Sequence, residues 1–268
     1  MFLHIIFRGM QQEIDTICSA YEPITLGEMD AVMFMDRIES KYLMHKDLLP
    51  LILKSIQPYY KILEIDQQRI FPYSTLYYDT KDNALFHGHH DGKFFRYKIR
   101  CRKYVACDLS FFEIKEKTTG DRTVKNRIQI DDIETKLSEK SKDYIGLNTP
   151  FHNINFEPKI YTNFSRITLV SNDNQERATI DLNVRFLFKE KDSCLDNLVI
   201  VELKRKIFSC ESSVLINALR HYGIVKGGVS KYCIGRSLLE KDLKSNNFRK
   251  NIRTINKIND GKYYYLNY

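Results

Sequence analysis

Charged residues recur at every second position in five separate stretches of this chain. The longest pair runs Arg96-Tyr97-Lys98-Ile99-Arg100-Cys101-Arg102 and then Phe111-Phe112-Glu113-Ile114-Lys115-Glu116-Lys117. Side chains alternate faces along a β-strand. Arg96, Lys98, Arg100 and Arg102 therefore share one face, with Tyr97, Ile99 and Cys101 on the other. Glu113, Lys115 and Lys117 repeat the pattern, and Ala106 to Ser110 joins the two strands as a hairpin. Arg37, Glu39 and Lys41 follow the same spacing, as do Lys125 with Arg127, and Glu202, Lys204 and Lys206 after the apolar run Leu198 to Val201. One such strand reads as an ordinary solvated sheet face. Five of them, mostly basic with a single Glu in three, collect like charge. Two unit charges about 4 Å apart repel by roughly 4 kcal/mol at an effective dielectric near 20. A fold that gathers them has an anion to hold. Arg and Lys match phosphate oxygens, and the interspersed Glu residues suit a divalent cation travelling with the phosphates.

The chain has 268 residues and a net charge of +8, enough for one large domain or two small ones. The segment from Lys241 onward holds seven Lys/Arg against Asp242 and Asp260, so the body is only mildly basic and its cationic faces are local. We expect that segment to be an exposed basic tail. Six cysteines without a C-x-x-C pair indicate reduced, intracellular usage, and Cys101 and Cys233 read as core. No stretch reaches the roughly 18 apolar residues of a membrane span. Met1 to Phe7 is too short for a signal-peptide core. The reading is cytoplasmic, with a peripheral place at the inner face of the membrane left open; Met10 and Met29 are alternative starts.

Along the chain, residues 1–28 read as an extension, partly helical from Gln11 to Tyr21. A strand is predicted from Met33 to Tyr42. Asp47 is the expected cap of a helix carrying Leu48, Leu49, Ile52, Leu53 and Ile56, with Pro50 in its first turn. A strand from Arg69 to Asp79 alternates Phe71, Tyr73, Thr75 and Tyr77. Gly88 and Gly92 mark a turn around His87, His89 and His90, and no second ligand cluster is spaced to close a zinc site. Gly120-Asp121 is a turn before a strand from Val124 to Ile130, and a helix is predicted over 131–144. Strands Pro158 to Leu169 and Arg177 to Phe188 pair through a turn at Ser171 to Asn174, which sets Arg166 beside Asp181. A helix starts at Ser212 or Ser213, and Ser230 caps another that begins with Lys231. With about eight strands, three or four helices and no βαβ rhythm, the chain predicts an antiparallel barrel, closed or nearly so.

Arg37-x-Glu39-x-Lys41-Tyr42, Tyr78-Asp79-Thr80, Lys98-x-Arg100-x-Arg102, Glu113-x-Lys115, Arg166, Asp181, Glu202-x-Lys204 and Ser230-Lys231-Tyr232, in this order, resemble the VTC domain. That is the polyphosphate polymerase domain of the vacuolar transporter chaperone proteins, within the triphosphate tunnel metalloenzymes. The resemblance spans roughly residues 30–238. It implies an α+β fold, an antiparallel eight-stranded β-tunnel with flanking helices over 29–240. It implies transfer of the ATP γ-phosphate to polyphosphate or a pyrophosphate primer, with Mn2+ or Mg2+. By matching position it assigns catalytic phosphate contacts to Lys41, Arg100, Arg102, Lys115, Arg166 and Lys231, and further phosphate binding to Arg37, Lys98, Arg127, Lys204 and Ser230. Glu202 is the implied metal ligand, with Glu39 and Glu113 as helpers. Hydrolytic relatives carry Glu-x-Glu-x-Lys on the first strand. Here Arg37 stands in place of the first Glu, which favours holding a polyanion over two-metal activation of water.

Two other readings share the tunnel: a tripolyphosphate or nucleoside triphosphate hydrolase, and a non-catalytic polyphosphate or nucleotide sensor. A nucleic-acid partner is not expected, since the body shows neither a recognition helix nor an evident aromatic stacking platform. A membrane-protein partner is left open.

Overall fold

The computed structural model describes residues 2–31, 37–118, 123–206 and 212–261, with side chains described over 9–29, 38–118, 123–206 and 212–261. Its strands are β1 (Glu22–Ile24), β2 (Arg37–His45), β3 (Tyr60–Leu63), β4 (Phe71–Thr80), β5 (Arg96–Tyr104), β6 (Leu109–Lys117), β7 (Thr123–Ile130), β8 (Phe156–Ser171), β9 (Glu176–Phe188), β10 (Lys191–Leu195) and β11 (Leu198–Lys206). Its helices are α1 (Phe2–Ser19), α2 (Leu26–Ala31), α3 (Leu49–Ile56), α4 (Ala84–His90), α5 (Glu139–Asn148), α6 (Val214–His221), α7 (Lys231–Leu239) and α8 (Arg249–Asn259).

Eight strands form one path in the order β2-β11-β9-β8-β4-β5-β6-β7, and every neighbouring pair on it is antiparallel. Of the two expectations, a closed or a nearly closed barrel, the fully closed one does not hold. Among the described residues β2 and β7 are not hydrogen-bonded to each other, so the sheet is curled and open along one seam. The curl is strong. Lys115 on β6 and Glu202 on β11 influence each other's ionisation, although four strands separate them in the order. Three short strands escape sequence reading: β10 on β9, and β3, which joins β8 to β1.

Period-2 patterning assigns the faces. Tyr42, Met44, Ile167, Leu169, Ala178, Ile180, Val199, Val201 and Leu203 point outward into a core shared with α1, α3 and α6. Leu76, Tyr78, Ile99, Cys101, Phe112 and Ile114 build a second outer core with Ile145 of α5. Each such Leu, Ile or Phe contributes about 1.5–3 kcal/mol on full burial. These cores bind the convex side, while the concave side carries the charge beside a further core built with α7.

Several local expectations shift. The N-terminal stretch is integrated, not appended: Ile14, Ile17 and Cys18 of α1 are buried, and Tyr21 Oη donates to the Leu53 carbonyl at 2.6 Å. Asp47 does not cap α3. A 3-10 turn precedes that helix, and there the His45 imidazole accepts from the Asp47 amide. The helix predicted over 131–144 begins later, at Glu139, because Ser138 Oγ is the group that caps it. The basic tail is partly docked, with Ile255 and Ile258 of α8 buried in a third core. The turn predicted at Gly120-Asp121, and residues 33–36 of the first predicted strand, lie outside the described residues. No described helix is long and apolar enough to cross a membrane.

The histidine-rich stretch is a helix rather than a turn. Its cap lies upstream, on β4: the buried Asp79 carboxylate accepts from the Leu85 and Phe86 amides at 2.8 and 2.9 Å, where a helix N-terminus favours negative charge. The same carboxylate accepts from Tyr232 Oη and from Arg236 Nη1 at 3.3 Å. Arg236 is only 1% exposed and also donates to Asn83 and Glu240. Asp79 thus ties β4, α4 and α7 together. Asp79→Ala takes one of two carboxylates from that buried cation and leaves the Leu85 and Phe86 amides and the Tyr232 hydroxyl without their acceptor, at about 1–3 kcal/mol for each unmet buried donor. The expected loss is about 3–5 kcal/mol of stability in urea denaturation; a loss under 1 kcal/mol would contradict the tie.

Candidate active site

The strand registers place one continuous charged face on the concave side. Lys41 pairs with Glu202, and Glu202 with Thr179. Asp181 pairs with Arg166, and Arg166 with Phe71. Thr75 pairs with Arg102, Arg100 with Glu113, Lys98 with Lys115, and Lys115 with Lys125. Helix α7 projects Lys231 into the same space. Gly235 lets that helix sit close, since a Cβ there would collide with the Phe186 ring and the Ile160 side chain.

Three ion-paired groups organise this face. At β2–β11, Glu202 lies 3.0 Å from Lys204 Nζ and 3.4 Å from Lys41 Nζ, and Lys41 also pairs with Glu39. Burial pushes the Glu202 carboxyl up, but Lys204, Lys41, Lys115 and Arg166 hold it well below the usual carboxylate range. At β5–β6–β7, Arg100 donates to Glu113 through Nε at 2.8 Å and Nη2 at 2.5 Å, and Lys125 pairs with the other oxygen. At β8–β9, Arg166 grips Asp181 through two bonds of 2.6 and 2.9 Å, and Lys231 shares that carboxylate. Burial works against the charged Asp181, yet Arg166 and Lys231 bring its carboxyl down to about 2.

Three further cations have no such partner. Among the described residues, no carboxylate comes within ion-pair distance of Lys98, Arg102 or Lys115. Arg102 is 8% exposed, and its Nε reaches only Thr75 Oγ1, at 3.3 Å. Its guanidinium rests over Tyr73 and Phe164, whose rings stack at 5.3 Å. Arg166 leans on the same two rings. Burial, followed by Arg100, pushes the Lys115 ammonium well below its ordinary value. Burial lowers Lys98 too, with Lys41 and Arg100 adding to it. An uncompensated buried charge costs several kcal/mol. Arg102 is such a charge, and the half-buried Lys98 and Lys115 that face the same space with it mark a place built for an anion.

The remaining predicted residues are scattered around this centre. Arg127 is exposed on β7, its guanidinium 4.6 Å from the Phe111 ring centroid. Ser230 caps α7, its Oγ accepting from the Cys233 amide at 3.4 Å, which leaves the hydroxyl proton free for an acceptor. The Arg37 side chain lies outside the described residues. The aromatic floor of Tyr73 and Phe164, and the phenol of Tyr77, are absent from the sequence-based set. Their alternation on β4 and β8 reads as plain strand, since nothing charged marks them.

The donor set suits a hard divalent ion. Among the described residues no group of three or more His, Cys, Asp or Glu could enclose a metal. A cation would therefore rest on Glu202, with Glu39 nearby, and complete its shell from phosphate oxygens and water, the habit of Mg2+ and similar ions. Both oxygens of Glu113 are engaged by cations in a fully buried position.

A curled antiparallel eight-stranded sheet lined by cations with a carboxylate at one wall is the architecture of a triphosphate tunnel protein. The chain belongs to the VTC domain family, whose model matches residues 36–240. Its activity is accordingly polyphosphate- or triphosphate-related, and its class is phosphoryl transfer. Among solved structures it is similar to a putative adenylyl cyclase from Hippeastrum described as having a dominant triphosphatase activity. That match has a TM-score of 0.51 and 14% identity, covering 78% of this chain and 99% of the other. Two proteins from Pyrococcus horikoshii match at TM-scores of 0.41 and 0.40 with 12% identity, covering 73% and 70% of this chain and 96% and 90% of theirs. No curated protein matches the chain.

Proposed function

We infer that this protein is an ATP-dependent polyphosphate polymerase, with residues 29–240 as its catalytic unit. The observation that carries the reading is the set of uncompensated cations Lys98, Arg102 and Lys115 across from Glu202. A bound polyphosphate supplies the missing counter-charge along its length. Arg100, held by Glu113, and Arg166 and Lys231, held by Asp181, are oriented before any substrate arrives. Such preorganised donors stabilise phosphoryl transfer mainly by position and charge. A terminal phosphate oxygen of the chain forms the new bond to the ATP γ-phosphorus, the bond to the β-phosphate oxygen breaks, and ADP leaves. That attacking oxygen is already ionised, so no protein base is required. Bound at Glu202 and Glu39, Mn2+ or Mg2+ would neutralise phosphate oxygens. Glu113 serves this reading as the counter-ion that aims Arg100. Free cysteines and the need for ATP support a cytoplasmic location. Exposed Arg249, Lys250, Arg253 and Lys257 on α8 have the sign that an anionic inner membrane face, or a partner embedded in it, would attract.

The test is incubation with ATP and manganese, with and without a pyrophosphate primer, resolving polyphosphate on a gel and measuring free phosphate in parallel. A polyphosphate ladder with ADP is expected. Free phosphate without a ladder would make the protein a hydrolase, and binding without either product would make it a sensor.

Binding has a definite pH sign. Burial holds Lys98 and Lys115 below their ordinary range and brings Lys125 down to about 8. A polyanion beside them raises all three again, so the complex binds more protons than the free protein. Affinity for tripolyphosphate is therefore highest at neutral pH and falls as pH rises through about 8. Titration calorimetry between about pH 7 and pH 9.5 should show at least a tenfold loss, about one pK unit of linkage. A flat profile would contradict the depressed lysines.

A further inference from the structure

Tyr77 is buried, at 4% exposure, in the middle of the cation cluster. Its hydroxyl oxygen accepts from Arg100 Nη1 at 3.1 Å, and its ring packs against Tyr232 of α7 at 5.2 Å. Lys98, Arg100 and Arg102 of β5 all act on this phenol, and it acts in turn on Lys231 of α7. The nearest carboxylate in the group, Glu113 of β6, is taken by Arg100 and Lys125. Across the β4–β8 ladder the neighbour is the apolar Ile160. From α7, Cys233 lies toward Lys98 rather than toward the phenol.

The hydrogen-bond account of this hydroxyl is incomplete. Its oxygen is used by Arg100, but among the described residues no acceptor takes its proton. Buried donors are rarely left in that state, because an unmet one costs more than an average hydrogen bond contributes. The cations around it are all donors and cannot accept. The acceptor that fits the chemistry is an anionic oxygen lying among Lys98, Arg102 and Lys231.

We propose that Tyr77 is a phosphate-binding residue of the tunnel, donating its phenolic proton to an oxygen of the phosphate that Arg100 holds. This rests on the reading of the tunnel as a polyphosphate site. The electrostatics agree with it: burial opposes the phenolate, yet Arg100, Arg102 and Lys98 outweigh burial and pull the phenol below its ordinary value. In the empty tunnel Tyr77 can ionise and offset those cations. When a polyanion enters, the phenol takes back its proton and donates it as a hydrogen bond. Among the described tyrosines with a resolved shift, every other one is moved upward, so Tyr77 has a distinct spectroscopic signature.

The experiment compares wild type with Tyr77→Phe, which keeps the ring against Tyr232 and removes only the hydroxyl. Tripolyphosphate binding without metal is measured by calorimetry, and tyrosinate absorbance is titrated against pH with and without tripolyphosphate. The expected result is roughly tenfold to hundredfold weaker binding in the variant, as for one lost hydrogen bond to a charged group. Thermal stability should fall only slightly, since Arg100 loses one bond and keeps two to Glu113. In the wild type, one tyrosine should ionise below the ordinary phenol value of about 10, revert on adding tripolyphosphate, and be missing from the variant. Equal affinity in the two proteins would overturn the assignment while leaving the polyphosphate reading intact. Should the variant fail to fold, a wild-type tyrosinate signal that ignores tripolyphosphate would overturn it equally. A wild type that binds no tripolyphosphate would instead remove the polyphosphate reading, and this inference with it.

Discussion

Glu202→Gln is expected to cut metal-dependent turnover by roughly 10²–10³-fold, the equivalent of the several kcal/mol a bound ion supplies to transition-state charge. The protein should fold normally, because Glu202 is at the concave surface and Lys41 keeps Glu39 as a partner. The discriminating readout is tripolyphosphate binding without metal. Glu202 acts on Lys115 across the concave space, and its charge repels an incoming phosphate. The variant should therefore bind metal-free tripolyphosphate at least as tightly as wild type while losing turnover. Parallel loss of both would mean that Glu202 shapes the cationic wall rather than carrying the metal. Turnover near wild type would place the metal elsewhere.

The second large effect concerns the cations without partners. Lys115→Met combined with Arg102→Met removes one half-buried and one buried charge and keeps most of their volume. Hydrogen bonds to charged groups contribute about 1.5–3 kcal/mol each, and tenfold in affinity is about 1.4 kcal/mol. The double variant should bind tripolyphosphate at least about a hundredfold more weakly. Its empty form should melt at a higher temperature than wild type, since relieving buried like charge is stabilising. This opposition of signs is the test. Falling affinity together with falling stability would indicate ordinary core damage, and unchanged affinity would remove both residues from the binding surface.

The charge-bearing part of the site is legible because a strand period of two writes it into the sequence. Lys98, Arg100 and Arg102 on one side, and Glu202 with Lys204 on the other, need only that period to share a face. Arg166 beside Asp181 is likewise readable, from two strands and a tight turn between them. What is not legible depends on distance in the chain. Asp79 caps α4 from the preceding strand and pairs with Arg236, 157 residues away, and no local pattern announces that bond. Tyr73, Phe164 and Tyr77 carry no charge to set them apart from core aromatics. Their role follows only once β4, β5 and β8 are laid side by side. The open seam, β10 and the docking of α8 are hidden for the same reason: pairing partners are a property of the whole sheet.

Helix α7 behaves as a short rigid rod with its working end and its fastening at different points. Lys231 and Ser230 stand at the end that faces the concave space, while Arg236 is bolted to Asp79 and Glu240 farther along. At 1.5 Å per residue, the distance from bolt to tip is set by the backbone and cannot stretch. Wear at the bolt is therefore felt at the tip as misalignment. Damage around α4, far from any phosphate, should show itself first as poorer catalysis and only later as unfolding.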